Sequence, residues 1–339
     1  MQKINFGLRK SEILCTFTNF FESNTCMKPI WEDDFLYKLC RPYADLCTRM
    51  SYSRLTVTGR ENIPSDGVVI FAPNHTNTLM DALVVLQARR GTTIFGARAD
   101  MFKSPRAASI LRWLRIVPLA RQRDGMAAVA TNNQIFEEVV DALDHGVPFC
   151  MFVEGTHRPM HSLLPVKKGV FRIAALALET LKKPVYVVPV GIDYGDYFHY
   201  MSTAKVTYGE PIKYEEGADP VALTGVLHDR LASLITYFPD DENYEKNWAE
   251  YQKQHAPEFK WWKVPAAVLA LPVFIALGIA ISPLLLLTVI IGSKMKDKAW
   301  MNTVRYSVRF LFTPVIWALH SAFYLLLGFY RKLFKSISK

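Results

Sequence analysis

Four short stretches of this sequence carry side chains suited to chemistry. The sharpest is Asn74-His75-Thr76-Asn77-Thr78-Leu79-Met80-Asp81. It follows directly on an unbroken apolar run at 67–72 (GVVIFA), which reads as a buried strand. In an open α/β sheet, ligands bind beyond the carboxyl ends of the strands, and His75 falls there. Asp81 lies on the first turns of the next helix, near enough for its carboxylate to reach back to the imidazole. A carboxylate on one ring nitrogen fixes the tautomer and leaves the other nitrogen as a base. On this stretch alone, a satisfied loop histidine and a helix-start aspartate read equally well.

The second stretch, Phe152-Val153-Glu154-Gly155-Thr156-His157-Arg158, again ends an apolar run. Gly155 lets backbone amides approach a ligand, and Thr156 and Arg158 add donors suited to a phosphate. Glu154 is a poor phosphate ligand but can accept from a substrate hydroxyl or orient a neighbouring cation. The third, Val117-Pro118-Leu119-Ala120-Arg121, is a strand with a cation at its exit, followed by Arg123. The fourth is Leu164-Pro165-Val166-Lys167-Lys168-Gly169 ahead of a helix, with a Val188-Pro189-Val190 strand after it. Taken singly, the arginines and lysines read as solvated surface charges.

Alternating apolar runs and amphipathic stretches must position these residues. Strands are expected at 67–72, 92–96, 116–120, 147–153, 185–192 and 205–208, with helices at 78–90, 105–114, 126–144, 169–182 and 220–237. Strand and helix alternate, so the fold class is α/β: a mostly parallel sheet flanked by helices, with C-terminal hydrophobic membrane helices beyond it. An amphipathic helix is expected near 31–50, bent at Pro42 and suited to lying on a membrane. The expected organisation is an N-terminal extension with that helix (1–50), a catalytic domain (51–259) and a membrane-embedded region (260–339).

In sequence order the four stretches resemble the glycerolipid acyltransferase family, which includes lysophosphatidate and glycerol-3-phosphate acyltransferases. That family's blocks are an Asn-His…Asp box, a strand ending in Arg, a Glu-Gly-Thr box and a Val-Pro-Val strand. All occur here between Asn74 and Gly191. The chain departs from the pattern twice. Five residues rather than four separate His75 from Asp81, which resembles a branch including glycerol-3-phosphate and dihydroxyacetone-phosphate acyltransferases. The usual Glu-Gly-Thr-Arg is also extended to Glu-Gly-Thr-His-Arg, so Arg158, or Arg121 and Lys168 in its stead, would meet the phosphate.

The resemblance implies that His75, oriented by Asp81, takes a proton from a hydroxyl of the acceptor as that oxygen attacks an acyl thioester. The acceptor would be 1-acyl-sn-glycerol-3-phosphate, glycerol-3-phosphate or another lyso-lipid. The donor would be acyl-CoA or an acyl carrier protein thioester, with no cofactor or metal. Arg121, Glu154, Gly155, Thr156, Arg158 and Lys168 would hold the glycerol-phosphate end. A non-catalytic lipid-binding protein on the same fold would be expected to have damaged motifs, and these are intact. A serine hydrolase lacks support because no Gly-x-Ser-x-Gly occurs.

Charge and hydropathy set the expected partners. The chain has 339 residues and a net charge of +9, but residues 260–339 hold 11 Lys+Arg and one acid, Asp297. The remainder is nearly neutral. Cations beside apolar segments favour an anionic lipid surface over nucleic acid, for which no motif is present. Residues 264–292 contain no charged side chain, and 310–330 contain only His320. Both exceed the roughly 20 residues needed to cross a hydrocarbon core. Trp261, Trp262, Trp300 and Tyr330 flank them as interfacial anchors would. Basic flanks everywhere favour a monotopic, re-entrant arrangement with the catalytic domain facing the cytosol. The five cysteines show neither disulfide nor metal spacing and suggest a reducing compartment.

Overall fold

Residues Val68–Pro73 (VVIFAP) are buried at every position, so this strand must lie inside a sheet covered on both faces. In the computed structural model it does. The structure describes residues 29–89, 91–121, 131–198 and 202–255, then 268, 282–284, 286–295, 297 and 300–314. The elements in chain order are α1 (Phe35–Arg49), β1 (Arg54–Thr58), β2 (Val68–Pro73), α2 (Leu79–Ala88), β3 (Ile94–Arg98), α3 (Pro105–Trp113) and β4 (Ile116–Leu119). They continue with α4 (Asn132–Asp144), β5 (Phe149–Cys150), α5 (Gly169–Leu181), β6 (Val185–Tyr194), β7 (Thr203–Tyr208), β8 (Ile212–Tyr214), α6 (Pro220–Leu234) and α7 (Tyr244–Gln254). Residues 301–314 are helical.

Among the described residues, eight strands form one sheet in the order β1-β7-β6-β2-β5-β3-β4, with β8 paired to β6. β2 runs parallel to both β5 and β6, while β7 and β8 are antiparallel to β6. Alternate residues of β2 feed two cores. Ile70 and Ala72 pack in one cluster with Val139 and Leu143 of α4 and with Phe171 and Ala174 of α5. Val69 and Phe71 pack with Met80 and Val84 of α2, and with Cys47 and Tyr306. Helices therefore cover both faces, as the strand–helix alternation requires. The expected α/β class with a mostly parallel sheet is what forms.

Several boundaries differ from expectation for physical reasons. The strand expected at 147–153 contracts to Phe149–Cys150 as a two-sided ladder. Beyond Cys150 only β2 remains within reach: the amides of Met151 and Val153 donate to Phe71 and Pro73. Helix α1 runs through Pro42, with the Asp34 carboxylate capping its start. The Arg41 guanidinium, one residue before the proline, grips the carbonyls at the end of α2. Strand β1 was not anticipated, because an edge strand with its ends exposed (RLTVT) has no apolar signature. Helix α6 ends at Leu234 rather than near 237, since Asp193 captures the amide and hydroxyl of Thr236.

Cys47 and Cys150 are buried free thiols and Cys40 is half-buried. Cys15, Cys26, Arg123, Trp261, Trp262, Tyr330, the first turns of the helix expected from 126, and most of 264–292 and 310–330 lie outside the described residues. Among the described residues, no helix is long and apolar enough to cross a membrane.

Candidate active site

β2 ends at Pro73, paired with Val190 of β6. The next side chain extends the ladder: Asn74 Nδ2 donates to the Ile192 carbonyl (3.0 Å) and its Oδ1 accepts from the Ile192 amide (2.7 Å). This fully buried asparagine fixes where the chain leaves the sheet. His75 follows and turns its ring toward α2.

Asp81, fully buried in the first turn of α2, accepts four hydrogen bonds. Its Oδ2 takes the amides of Thr76 (2.8 Å) and Asn77 (2.7 Å) and lies 2.8 Å from His75 Nδ1. Its Oδ1 takes the Tyr194 hydroxyl (2.7 Å). An oxygen already accepting two amide protons cannot carry a proton of its own toward the ring, so Nδ1 is the donor. His75 is thereby held as the tautomer with a basic Nε2, on a side chain 17% exposed. Its ring stacks on Phe152, centroids 4.2 Å apart, and meets His157 edge-on at 5.5 Å.

The turn between the pair is strained. Asn77 accepts from the Met80 amide (3.0 Å), and Thr78 within that turn has φ +49° and ψ −126°. These angles belong to the first central residue of a type II′ turn, a place glycine ordinarily fills. A β-branched residue there costs about 1–3 kcal/mol and persists only where its surroundings hold it. The Thr78 hydroxyl lies 2.8 Å from that of Thr303.

Glu154 ties the second loop to the first. It is 3% exposed; Oε1 accepts from the His75 amide (2.8 Å) and Oε2 from the Leu164 amide (3.0 Å). Burial pushes its carboxyl from 4.5 up to about 7, against the two amide bonds and the His75 charge that favour ionisation. Both oxygens serve the backbone, so Glu154 organises the loops from beneath. Gly155 then takes a left-handed conformation (φ +71°) that turns the chain outward. Thr156 is exposed at this bend.

The cations are spread more widely. Arg158 donates its amide to the His75 carbonyl (3.2 Å), but its guanidinium pairs with Asp240 and donates to Ser162. Lys168 stands exposed at the cap of α5. Lys167 is the one whose side chain approaches Gly155 and whose amide returns to the Val153 carbonyl (2.8 Å). Arg121 leaves β4 beside Asn132, whose side chain bonds both backbone groups of Ala120 (2.9 Å each). With the stronger Arg98 hydrogen bond, Arg121 holds the Asp100 carboxyl below its usual range. The structure thus brings His75, Asp81, Glu154 and the backbone of Arg158 together, and leaves Arg121, Lys168 and the Arg158 guanidinium outside that cluster.

Sequence reasoning missed Tyr194, Phe152, His157 and Thr303 as neighbours of the pair. Tyr194 had a signal in the alternation Val190, Ile192, Tyr194 on the α2 face of β6, and Phe152 and His157 stood within the second stretch.

Replacing Glu154 with Gln keeps one amide bond and turns an NH2 against the other amide. A loss of about 1–3 kcal/mol of stability is expected at about pH 5, measured by denaturant unfolding. The folded carboxyl is raised, so its stabilising contribution is complete below the unfolded value and declines as pH rises from 4.5 through about 7. The gap between wild type and variant should therefore narrow over that window.

A mostly parallel sheet with a part-exposed histidine on a buried aspartate at its carboxyl end defines an enzyme-like site on an α/β fold. Residues 54–193 match the family model Acyltransferase. The chain is 23% identical over 208 residues to 1-acyl-sn-glycerol-3-phosphate acyltransferase alpha of Homo sapiens, covering 59% of this chain and 69% of that protein. Among solved structures, the 1-acyl-sn-glycerophosphate (LPA) acyltransferase PlsC from Thermotoga maritima aligns at 21% identity. The TM-score is 0.42, over 66% of this chain and 87% of that one. The family model and the human relative agree with the glycerolipid acyltransferase resemblance of the four sequence blocks.

Proposed function

We propose that this chain moves an acyl group from a thioester to a hydroxyl of a glycerol-phosphate acceptor in phospholipid biosynthesis, with His75 as general base. The acceptor is 1-acyl-sn-glycerol-3-phosphate or glycerol-3-phosphate. The observation that carries the reading is the His75 tautomer: Nδ1 is committed to a carboxylate accepting three other hydrogen bonds, and Nε2 is left basic.

In the reaction, Nε2 takes the hydroxyl proton as the oxygen attacks the thioester carbonyl. Asp81 stabilises the imidazolium that forms. The tetrahedral intermediate collapses with cleavage of the carbon–sulfur bond, and the thiolate leaves and recovers the proton from Nε2. No acyl-enzyme is needed because a thiolate leaves readily, and the route needs neither cofactor nor metal. Gly155 and Thr156, with the cations Arg121 and Lys168, are the groups assigned to the acceptor phosphate. Glu154 acts from beneath by holding the His75 amide. Coenzyme A or acyl carrier protein carries the acyl chain.

The same reading puts the chain at a membrane with its catalytic domain facing the cytosol, where acyl thioesters are made. Support comes from the long apolar stretches at 264–292 and 310–330 with their basic flanks. Exposed Phe35, Leu39 and Leu46 on α1, Met50 at its end, and Leu286, Val289 and Leu311 near the C-terminus add apolar surface that water disfavours.

Purified protein in lipid, given a labelled acyl thioester and a panel of acceptors, tests the reading. Labelled phosphatidate or lysophosphatidate is expected. Transfer confined to a lyso-lipid without a glycerol-phosphate terminus would replace the acceptor, and no transfer to any acceptor would favour a binding role.

A further inference from the structure

Asp297, Asn302 and Thr303 are more than two hundred positions from the His75 box, yet two of them reach it and the third reaches a ring that meets it. The Thr303 hydroxyl meets that of Thr78 at 2.8 Å, with both side chains buried. Asn302 Nδ2 donates to Asn77 Oδ1 (3.2 Å) and to the Tyr197 carbonyl (2.6 Å). Asp297 Oδ2 lies 2.8 Å from Nε2 of His157, the ring that meets His75 edge-on. Two His–carboxylate pairs, drawn from separate segments, thus meet ring to ring.

Two of these contacts fall on side chains of the turn that carries the dyad, Asn77 and Thr78. Thr76 and Asn77 supply the amides that hold Asp81, and Thr78 begins the helix on which Asp81 sits. Thr78 stands in a backbone conformation that threonine resists. Relaxing it to negative φ would rotate the peptide after Asn77 and shift the first turn of α2, moving Asp81 relative to His75. The Thr78–Thr303 bond opposes that relaxation. Nearby, Tyr306 packs in the same apolar cluster as Met80 and Val84, so the clamp rests on a buried footing.

We propose that Asp297, Asn302 and Thr303 complete the active site. Thr303 and Asn302 are positioning residues that hold the Asn77–Thr78 turn, and Asp297 sets the ring of His157 against that of His75. The inference rests on the reading of His75 and Asp81 as the acyl-transfer pair. It adds that catalysis depends on docking of the stretch lying between the two long apolar segments of the sequence.

Thr303→Val keeps the side-chain shape and removes the hydroxyl. In the full-length protein it should lower kcat about 10- to 100-fold, the usual cost of a small misplacement of reacting groups. KM for thioester and acceptor should change little, and Thr303→Ser should recover most of the rate. In an Asp81→Asn background the same change should add no further loss, because the geometry it protects has already lost its effect. An equal loss in both backgrounds would mark general damage and overturn the proposal. A second pair covers a folding failure: glycine takes the strained turn unaided, so Thr303→Val in Thr78→Gly protein should cost less than about threefold. A full loss there also overturns it. A normal kcat for Thr303→Val sinks this inference and leaves acyl transfer standing, whereas wild-type turnover by His75→Ala sinks the acyl-transfer reading itself.

Discussion

His75→Ala should lower kcat by about 10²–10⁴-fold, or roughly 3–5 kcal/mol in the barrier, while the protein folds and melts as wild type. The ring is partly exposed and contributes one bond to the buried network, whereas its backbone amide and carbonyl hold the loop through Glu154 and Arg158. Alanine retains both backbone bonds. Turnover of labelled thioester with the best acceptor, alongside a thermal melt, separates lost base from lost fold. Near-normal turnover in a folded His75→Ala protein would remove the general-base assignment.

Asp81→Asn should be comparably severe, on the order of 10²–10⁴-fold in kcat, for a different reason. The amide can place its oxygen toward the amides of Thr76 and Asn77 and its NH2 toward the Tyr194 oxygen, so the network can close again. It carries no charge to stabilise an imidazolium. Asp81→Ala goes further and strands those two buried amides at about 1–3 kcal/mol each. The asparagine variant should therefore be inactive but stable, and the alanine variant both inactive and visibly less stable in denaturant. An asparagine variant with wild-type kcat would show that the pair does not act as one unit.

How much of this was legible depended on distance along the chain. His75 and Asp81 are six positions apart across one strand–helix turn, so residue type and spacing sufficed to pair them. The central strands were legible because burial on both faces forces continuous apolar runs, as in β2 and β6. β1 and the antiparallel return of β7 were not: an edge strand needs little apolar surface, and strand direction leaves no mark in composition. Glu154 was recognised as special but read as a ligand. Only the fold reveals that β5 lies beside β2, bringing the His75 amide within 2.8 Å of its carboxylate. Thr303 carried no signal at all, since its partner is 225 residues away.

The sheet order also sets a timetable for synthesis. β2 is buried on both faces, but its neighbours β5 and β6 are encoded well downstream, the latter ending at Tyr194. At roughly 5–20 residues per second, several seconds separate the emergence of this apolar strand from that of the partners that cover its edges. Through that interval the nascent chain carries an unpaired, aggregation-prone segment, and the His75 loop has nothing to lean on. The helix at 301–314 arrives later still. Newly made chains would thus pass through a sheet-complete state in which the strained turn at Thr78 is not yet clamped, and activity would appear only when the stretch carrying Thr303 has docked.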